Sequence, residues 1–154
     1  MRDISDHRSA PQQNYDAELT KRIAAMKKSY YECGAFWSNA NIPYRWKRAV
    51  LLCRIINTGL SCIECFLPTA TEYRQLQSAM GALLRRAMRG RATTYHEDGT
   101  VKSSMSTLAV FRHWQILPPA EEALIRRVGW LKNILRFPNN HRQPIVALFG
   151  RVDF

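Results

Sequence analysis

The chain has 154 residues, 46% of them hydrophobic, which is the size of one domain with enough apolar surface for a continuous core. Its 23 Lys and Arg stand against 12 Asp and Glu, a formal net charge of +11, and such an excess repels itself in a compact state unless a polyanion relieves it. No stretch approaches the ~20 apolar residues of a membrane span, because Arg54 and Asn57 interrupt the longest run, Ala49 to Leu67, and MRDISDHRSAPQQN has no apolar leader core.

Residues 1–14 are polar, contain Pro11 and lack periodicity, which predicts a disordered tail ahead of a helical bundle over 15–150. Tyr15, Leu19, Ile23, Met26, Tyr30 and Trp37 recur at helical steps apart from a wider gap across Cys33, with Lys21, Arg22, Lys27 and Lys28 largely off that stripe. Asn41 can cap and Pro43 can open a second helix to about Cys65, with Trp46, Val50, Cys53, Ile56, Leu60 and Ile63 inside. Gly59 weakens it by ~1 kcal/mol relative to Ala, and Leu67-Pro68 ends it. Thr69 and Glu72 form a capping box for a third helix that buries Tyr73, Leu76, Met80, Leu83 and Ala87 and stops at Gly90. Asp98-Gly99, between Tyr95 and Val101, admits a short hairpin over 93–103. Ser103 or Ser104 starts a fourth helix through Met105, Leu108, Phe111 and Trp114. Leu117-Pro118-Pro119 ends it and launches a fifth, with Leu124, Val128, Leu131 and Leu135 as its apolar stripe; a last turn is expected at Pro144 to Phe149. The fold class expected is mainly α, a single bundle of five to six helices.

Arg85, Arg86, Arg89 and Arg91 fall within two turns around a helix C-terminus. Cations there complement the helix dipole, and guanidinium also forms bidentate bonds to phosphate oxygens. The same argument applies more weakly to Arg126, Arg127, Lys132 and Arg136, and to Lys47 and Arg48 on the second helix. DNA or RNA, held by backbone contacts, is the expected partner rather than a membrane.

Cys62-Ile63-Glu64-Cys65 supplies two of the four ligands of a structural zinc, and His7, His96, His113 and His141 are isolated, so Cys33, Cys53 and Cys62 are expected as packing residues with no metal or cofactor. Trp46, Trp114 and Trp130 have aliphatic neighbours at helical spacing and are expected in the core. There is no Gly-x-Ser-x-Gly elbow, P-loop or dinucleotide fingerprint, and Glu121-Glu122 suit a first helical turn; the expectation is a protein without catalytic residues.

Three landmarks follow in order: Lys47 to Phe66, with CIECF at Cys62 to Phe66; Gly81 to Gly90, GALLRRAMRG; and Leu117 to Pro138, a double proline opening a basic helix that ends in Phe-Pro. Across residues 18–150 this arrangement resembles the thumb-like helical region after the polymerase domain of non-LTR retrotransposon reverse transcriptases. There a helix ends in an aliphatic run with Gly-Ala-Glu-Thr-Trp, the next in a basic turn and Gly, and a final basic helix follows Leu-Pro-Pro. Phe66 stands where the family has Trp, and Gly129 to Asn133 lacks the family's Gly-His. The chain has no Asp-Asp pair, hence no polymerase palm carboxylates. The resemblance implies a domain that grips template-primer by phosphate contacts, is inactive alone, partners the remainder of a reverse transcriptase, and resides in the nucleus; it implies a structural role for Glu64. The alternative is a basic structural or assembly subunit docking on RNA or a larger complex. A helix-turn-helix regulator fits poorly, because the join from Ser38 to Trp46 is long for that motif.

Overall fold

The computed structural model describes residues 10–63 and 68–136, with side chains from residue 17 onward, and these form a mainly α bundle. α1 spans Ala10–Glu32, starting ahead of the expected Tyr15, and buries Leu19, Met26 and Tyr30 on its stripe. Arg22 is a correction. It lies three residues after Leu19 and four before Met26, on the buried face itself, where it is 9% exposed, pairs with Glu18 at 2.9 Å and donates to the Ser61 carbonyl. The gap at Cys33 marks a true break, because Cys33 leaves helical geometry and α2, Gly34–Ser38, restarts the chain. Trp37 bridges the break by stacking on Tyr30 at 5.1 Å and donating its Nε1 proton to the Tyr30 carbonyl at 2.8 Å.

The expected second helix is a continuous rod made of α3 (Tyr44–Val50), a π-helical segment (Leu51–Ile56) and α4 (Asn57–Leu60), with right-handed helical dihedrals at the junctions. The wider i→i+5 turn slips the phase of the buried face. Ile56, Leu60 and Ile63 are buried as their spacing predicts, but Leu51 and Ile55 replace Val50 and Cys53, and Trp46 turns outward at 56% exposure. Cys53 and Cys62 are exposed, against expectation, whereas half-buried Cys33 packs against the core as expected. Gly59 permits close packing: a β-carbon there would lie 2.1 Å from Sδ of the buried Met26. The landmark from Glu64 to Phe66, the Phe-Pro at 137–138 and the turn at Pro144 to Phe149 lie outside the described residues.

α5, Ala70–Ala87, opens with the expected capping box, Glu72 N–H to Thr69 Oγ1 at 3.3 Å and Thr69 N–H to the Glu72 carboxylate at 2.5 Å. It buries Leu76, Met80, Leu83, Leu84 and Ala87, with Tyr73 half-buried at the margin. Beyond it Arg89 and Gly90 both take left-handed conformations, φ 52° and 82°, which turn the chain into an antiparallel hairpin of β1 (Thr93–Tyr95) and β2 (Val101–Ser104). Gly99, at φ 81°, makes the hairpin turn. Ser103 and Ser104 belong to β2, so the cap of α6 (Thr107–Trp114) is Ser106, accepting from Ala109 N–H at 3.2 Å. α6 packs on α5 through Phe111 and Trp114, whose Nε1 donates to the Leu84 carbonyl at 3.1 Å.

α7, Pro119–Arg136, begins at the double proline but turns a different face inward. Pro119, Ala123 and Ile134 are buried, while Leu124, Val128 and Leu135 are about 60% exposed and Ile125 points out with them. Trp130 is also largely outside at 38% exposure, and of the three tryptophans expected in the core only Trp114 is there. The apolar spacing on α7 is real, but it marks an outer face; Ala123 rather than leucine meets the bundle.

Candidate nucleic-acid interface

Most of the cations singled out by sequence hold the bundle together. Arg48 spans from α3 to the end of α6, its Nε donating to the Trp114 carbonyl at 2.8 Å and its Nη2 to the Gln115 carbonyl at 2.9 Å. Those carbonyls lie at a helix C-terminus closed by a left-handed Gln115, with Ile116 N–H bonded back to Phe111. Lys47 does the same for α2, donating to the carbonyls of Trp37 (3.3 Å) and Asn39 (2.8 Å). Arg89 donates to the Ser38 carbonyl at 2.7 Å, its left-handed backbone placing it at the corner where α5 ends. Arg85 is half-buried and bonds the Met105 carbonyl at 2.8 Å and Thr107 Oγ1 at 3.3 Å, bracing α5 to the α6 entry. Arg86 is exposed, bonds the Tyr31 hydroxyl and lies 5.6 Å from that ring's centroid.

On α7, Arg126 pairs with Glu122 at 2.9 Å and reaches the Leu60 carbonyl (3.2 Å) and Asn57 Oδ1 (2.7 Å), tying α7 to α4. Arg127 is half-buried, whereas Lys132 and Arg136 are exposed. Arg126, Arg127, Lys132 and Arg136 all belong to α7, whereas Arg85 and Arg86 stand in the last turn of α5 with Arg89 just beyond it.

One place collects several of them. A cleft of about 460 Å³ lies where α2, α5 and α6 end and α3 begins, and its lining includes Lys47, Arg89 and Arg91 and, among the described residues, no carboxylate. Each helix end carries at most about half a negative charge, against the full positive charges of these three side chains and the neighbouring Arg48. The net sign therefore stays positive. Arg91 is exposed and its side chain has no hydrogen-bond or ion-pair partner among the described residues, while Arg89 engages only one guanidinium N–H in its bond to Ser38. These donors have no acceptor among the described residues, which is the condition for taking phosphate oxygens.

Tyr44, His113 and Trp114 also line the cleft, a grouping that sequence spacing does not reveal. Tyr44 stacks on Trp114 with centroids 4.9 Å apart and planes 14° apart, and its hydroxyl donates to the His113 carbonyl. Burial raises the Tyr44 phenol above its ordinary pKa, with the nearby Arg48 acting against the shift. This pair joins residues 70 positions apart, and periodicity within either helix cannot report it.

Among the described residues no group of three His, Cys, Asp or Glu side chains could hold a metal, and no helix is long and apolar enough to cross a membrane. In comparisons with protein-family models, curated proteins and solved structures, none matches this chain. The functional reading therefore stands on the geometry of the cleft and the charge around it.

Proposed function

We propose that this domain binds nucleic acid through phosphate contacts, without reading base sequence and without catalysing a reaction on its own. The observation that carries the reading is the cleft whose described lining has no carboxylate, where the Arg91 side chain has no partner among the described residues and Arg89 keeps donors unused. Arg86 on Tyr31, with Lys27 and Lys28 one turn back on α1, extends positive charge beyond the cleft. In the reverse-transcriptase resemblance this would be the surface of a thumb-like region that grips template-primer, the palm lying in another part of the enzyme. Backbone contacts position a protein on a duplex but carry no base information. The test is fluorescence anisotropy with several duplexes of unrelated sequence at low salt: affinities within a few-fold of one another support the reading. A single strongly preferred sequence, or no binding at about 50 mM salt, overturns it.

The outer face of α7 favours a second reading, an assembly subunit that docks on a larger protein body. Leu124, Ile125, Val128 and Leu135 expose a run of large apolar side chains on one helix, and exposed apolar patches mark contact surfaces. Replacing Leu124 and Val128 by Glu should then abolish docking while leaving duplex affinity in place.

A further inference from the structure

We infer that the cleft receives a single unpaired nucleotide, its base stacked on Tyr44 and its phosphate held by Arg91 and Arg89. The inference deepens the phosphate-binding reading of the same surface and rests on it. A site for duplex backbone needs only cations, whereas this one has aromatic residues in its lining as well. Tyr44 is 41% exposed although one side of its ring lies against Trp114. His113 sits 5.6 Å from Tyr44 and 5.7 Å from Trp114, which are themselves 4.9 Å apart, so His113 does not lie opposite Trp114 across the tyrosine. The opposite face of Tyr44 has no ring on it among the described residues.

The tyrosine is also held in place. Its hydroxyl is tied to the His113 carbonyl, and Arg48 fixes the next two carbonyls of the same helix end, so the ring is a rigid platform. Stacking on a fixed ring costs little ordering and accepts any base, because every base has a π-face. The cleft lining supplies the charge: Lys47 has one ammonium proton beyond the two it gives to Trp37 and Asn39, and Arg89 and Arg91 supply guanidinium donors. Bases in a duplex are stacked on each other and cannot present a free face, so the arrangement selects unpaired nucleotides.

The test compares a labelled short oligothymidylate with a blunt duplex, on the wild-type chain and on Tyr44→Leu and Tyr44→Phe. Tyr44→Leu should weaken the single strand by about tenfold or more and leave the duplex unchanged, while Tyr44→Phe, which keeps the ring, should retain most of the affinity. Equal single-strand affinity for wild type and Tyr44→Leu, or an equal loss on the duplex, overturns the inference. If Tyr44→Leu does not fold by circular dichroism, Arg91→Gln decides instead: several-fold weaker single-strand binding supports the site and unchanged binding overturns it. Thymidine 5′-monophosphate as competitor separates the sources of the ligand. Displacement of the oligonucleotide by the monophosphate indicates a free nucleotide, and displacement only by a longer strand indicates a nucleotide within a chain; both support the site. A wild-type chain that binds the duplex but no single strand refutes this inference alone, and one that binds neither refutes the phosphate-binding reading as well.

Discussion

Arg48→Met separates the structural cations from the binding ones. The substitution keeps an apolar stem but removes two charge-assisted hydrogen bonds, 2.8 and 2.9 Å, which connect α3 to the α6 end across more than 60 residues of sequence. Hydrogen bonds to charged groups contribute about 1.5–3 kcal/mol each when well buried. Here one is half-buried and the other exposed, so each falls below that range, near about 1 kcal/mol, and the pair together should contribute about 2 kcal/mol. The Trp114 and Gln115 carbonyls would keep water as an alternative partner, which sets an upper limit near that figure. For a chain of this length about 2 kcal/mol corresponds to a melting temperature lowered by roughly 4–8 °C. Urea titration followed by circular dichroism should show the midpoint falling with an unchanged slope. Arg91→Gln, at an exposed side chain without a partner among the described residues, should stay within about 0.5 kcal/mol of wild type. If Arg48→Met melts with the wild type, or if Arg91→Gln loses as much as Arg48→Met, the division of cations into structural and available sets is wrong.

Gly59→Ala should destabilise the domain by about 1–3 kcal/mol, because the new methyl would meet Met26 and Met80; a gain in stability, as helix propensity alone would give, contradicts the close packing of α1 on α4. Tyr30 and Tyr44 have phenols raised by burial above the ordinary 10.0, so above pH 10.0 the unfolded chain releases protons that the folded one keeps. Stability should be full below that value and fall as pH rises toward the folded pKa values; a melting temperature that rises across that range contradicts the burial. Primer extension by the isolated chain with magnesium or manganese should remain at background; template-dependent extension abolished by replacing one carboxylate of this chain would end the non-catalytic reading.

The elements that sequence placed well are those fixed by local chemistry. The Thr69 and Glu72 capping box, the Asp98-Gly99 hairpin turn and the Pro119 helix start depend on residues a few positions apart, and each appears where expected. Faces were legible only where helical phase stays regular. The π-helical turn at Leu51–Ile56 breaks that phase, which is why Trp46 and Cys53 were expected inside and lie outside. On α7 the apolar stripe was read correctly as a stripe, but nothing in a single helix says which neighbour it meets, and the bundle takes the Ala123 side instead. The basic cluster at the α5 end was visible as charge. Its division was not, because the acceptors of Arg85, Arg86 and Arg89 are Met105, Thr107, Tyr31 and Ser38, and sequence spacing does not reveal such distant pairings.

The central claim is that available cations on the cleft face contact phosphates, and the salt dependence of duplex affinity measures those contacts directly. With about three phosphates neutralised by Lys47, Arg89 and Arg91, the log-log slope on B-form DNA should be near roughly −2.7. Arg91→Gln should flatten it by about one unit and weaken all duplexes alike, with the melting temperature unchanged. A wild-type affinity insensitive to salt, or an Arg91→Gln slope equal to that of the wild type, would contradict the claim and move the interface away from this cleft.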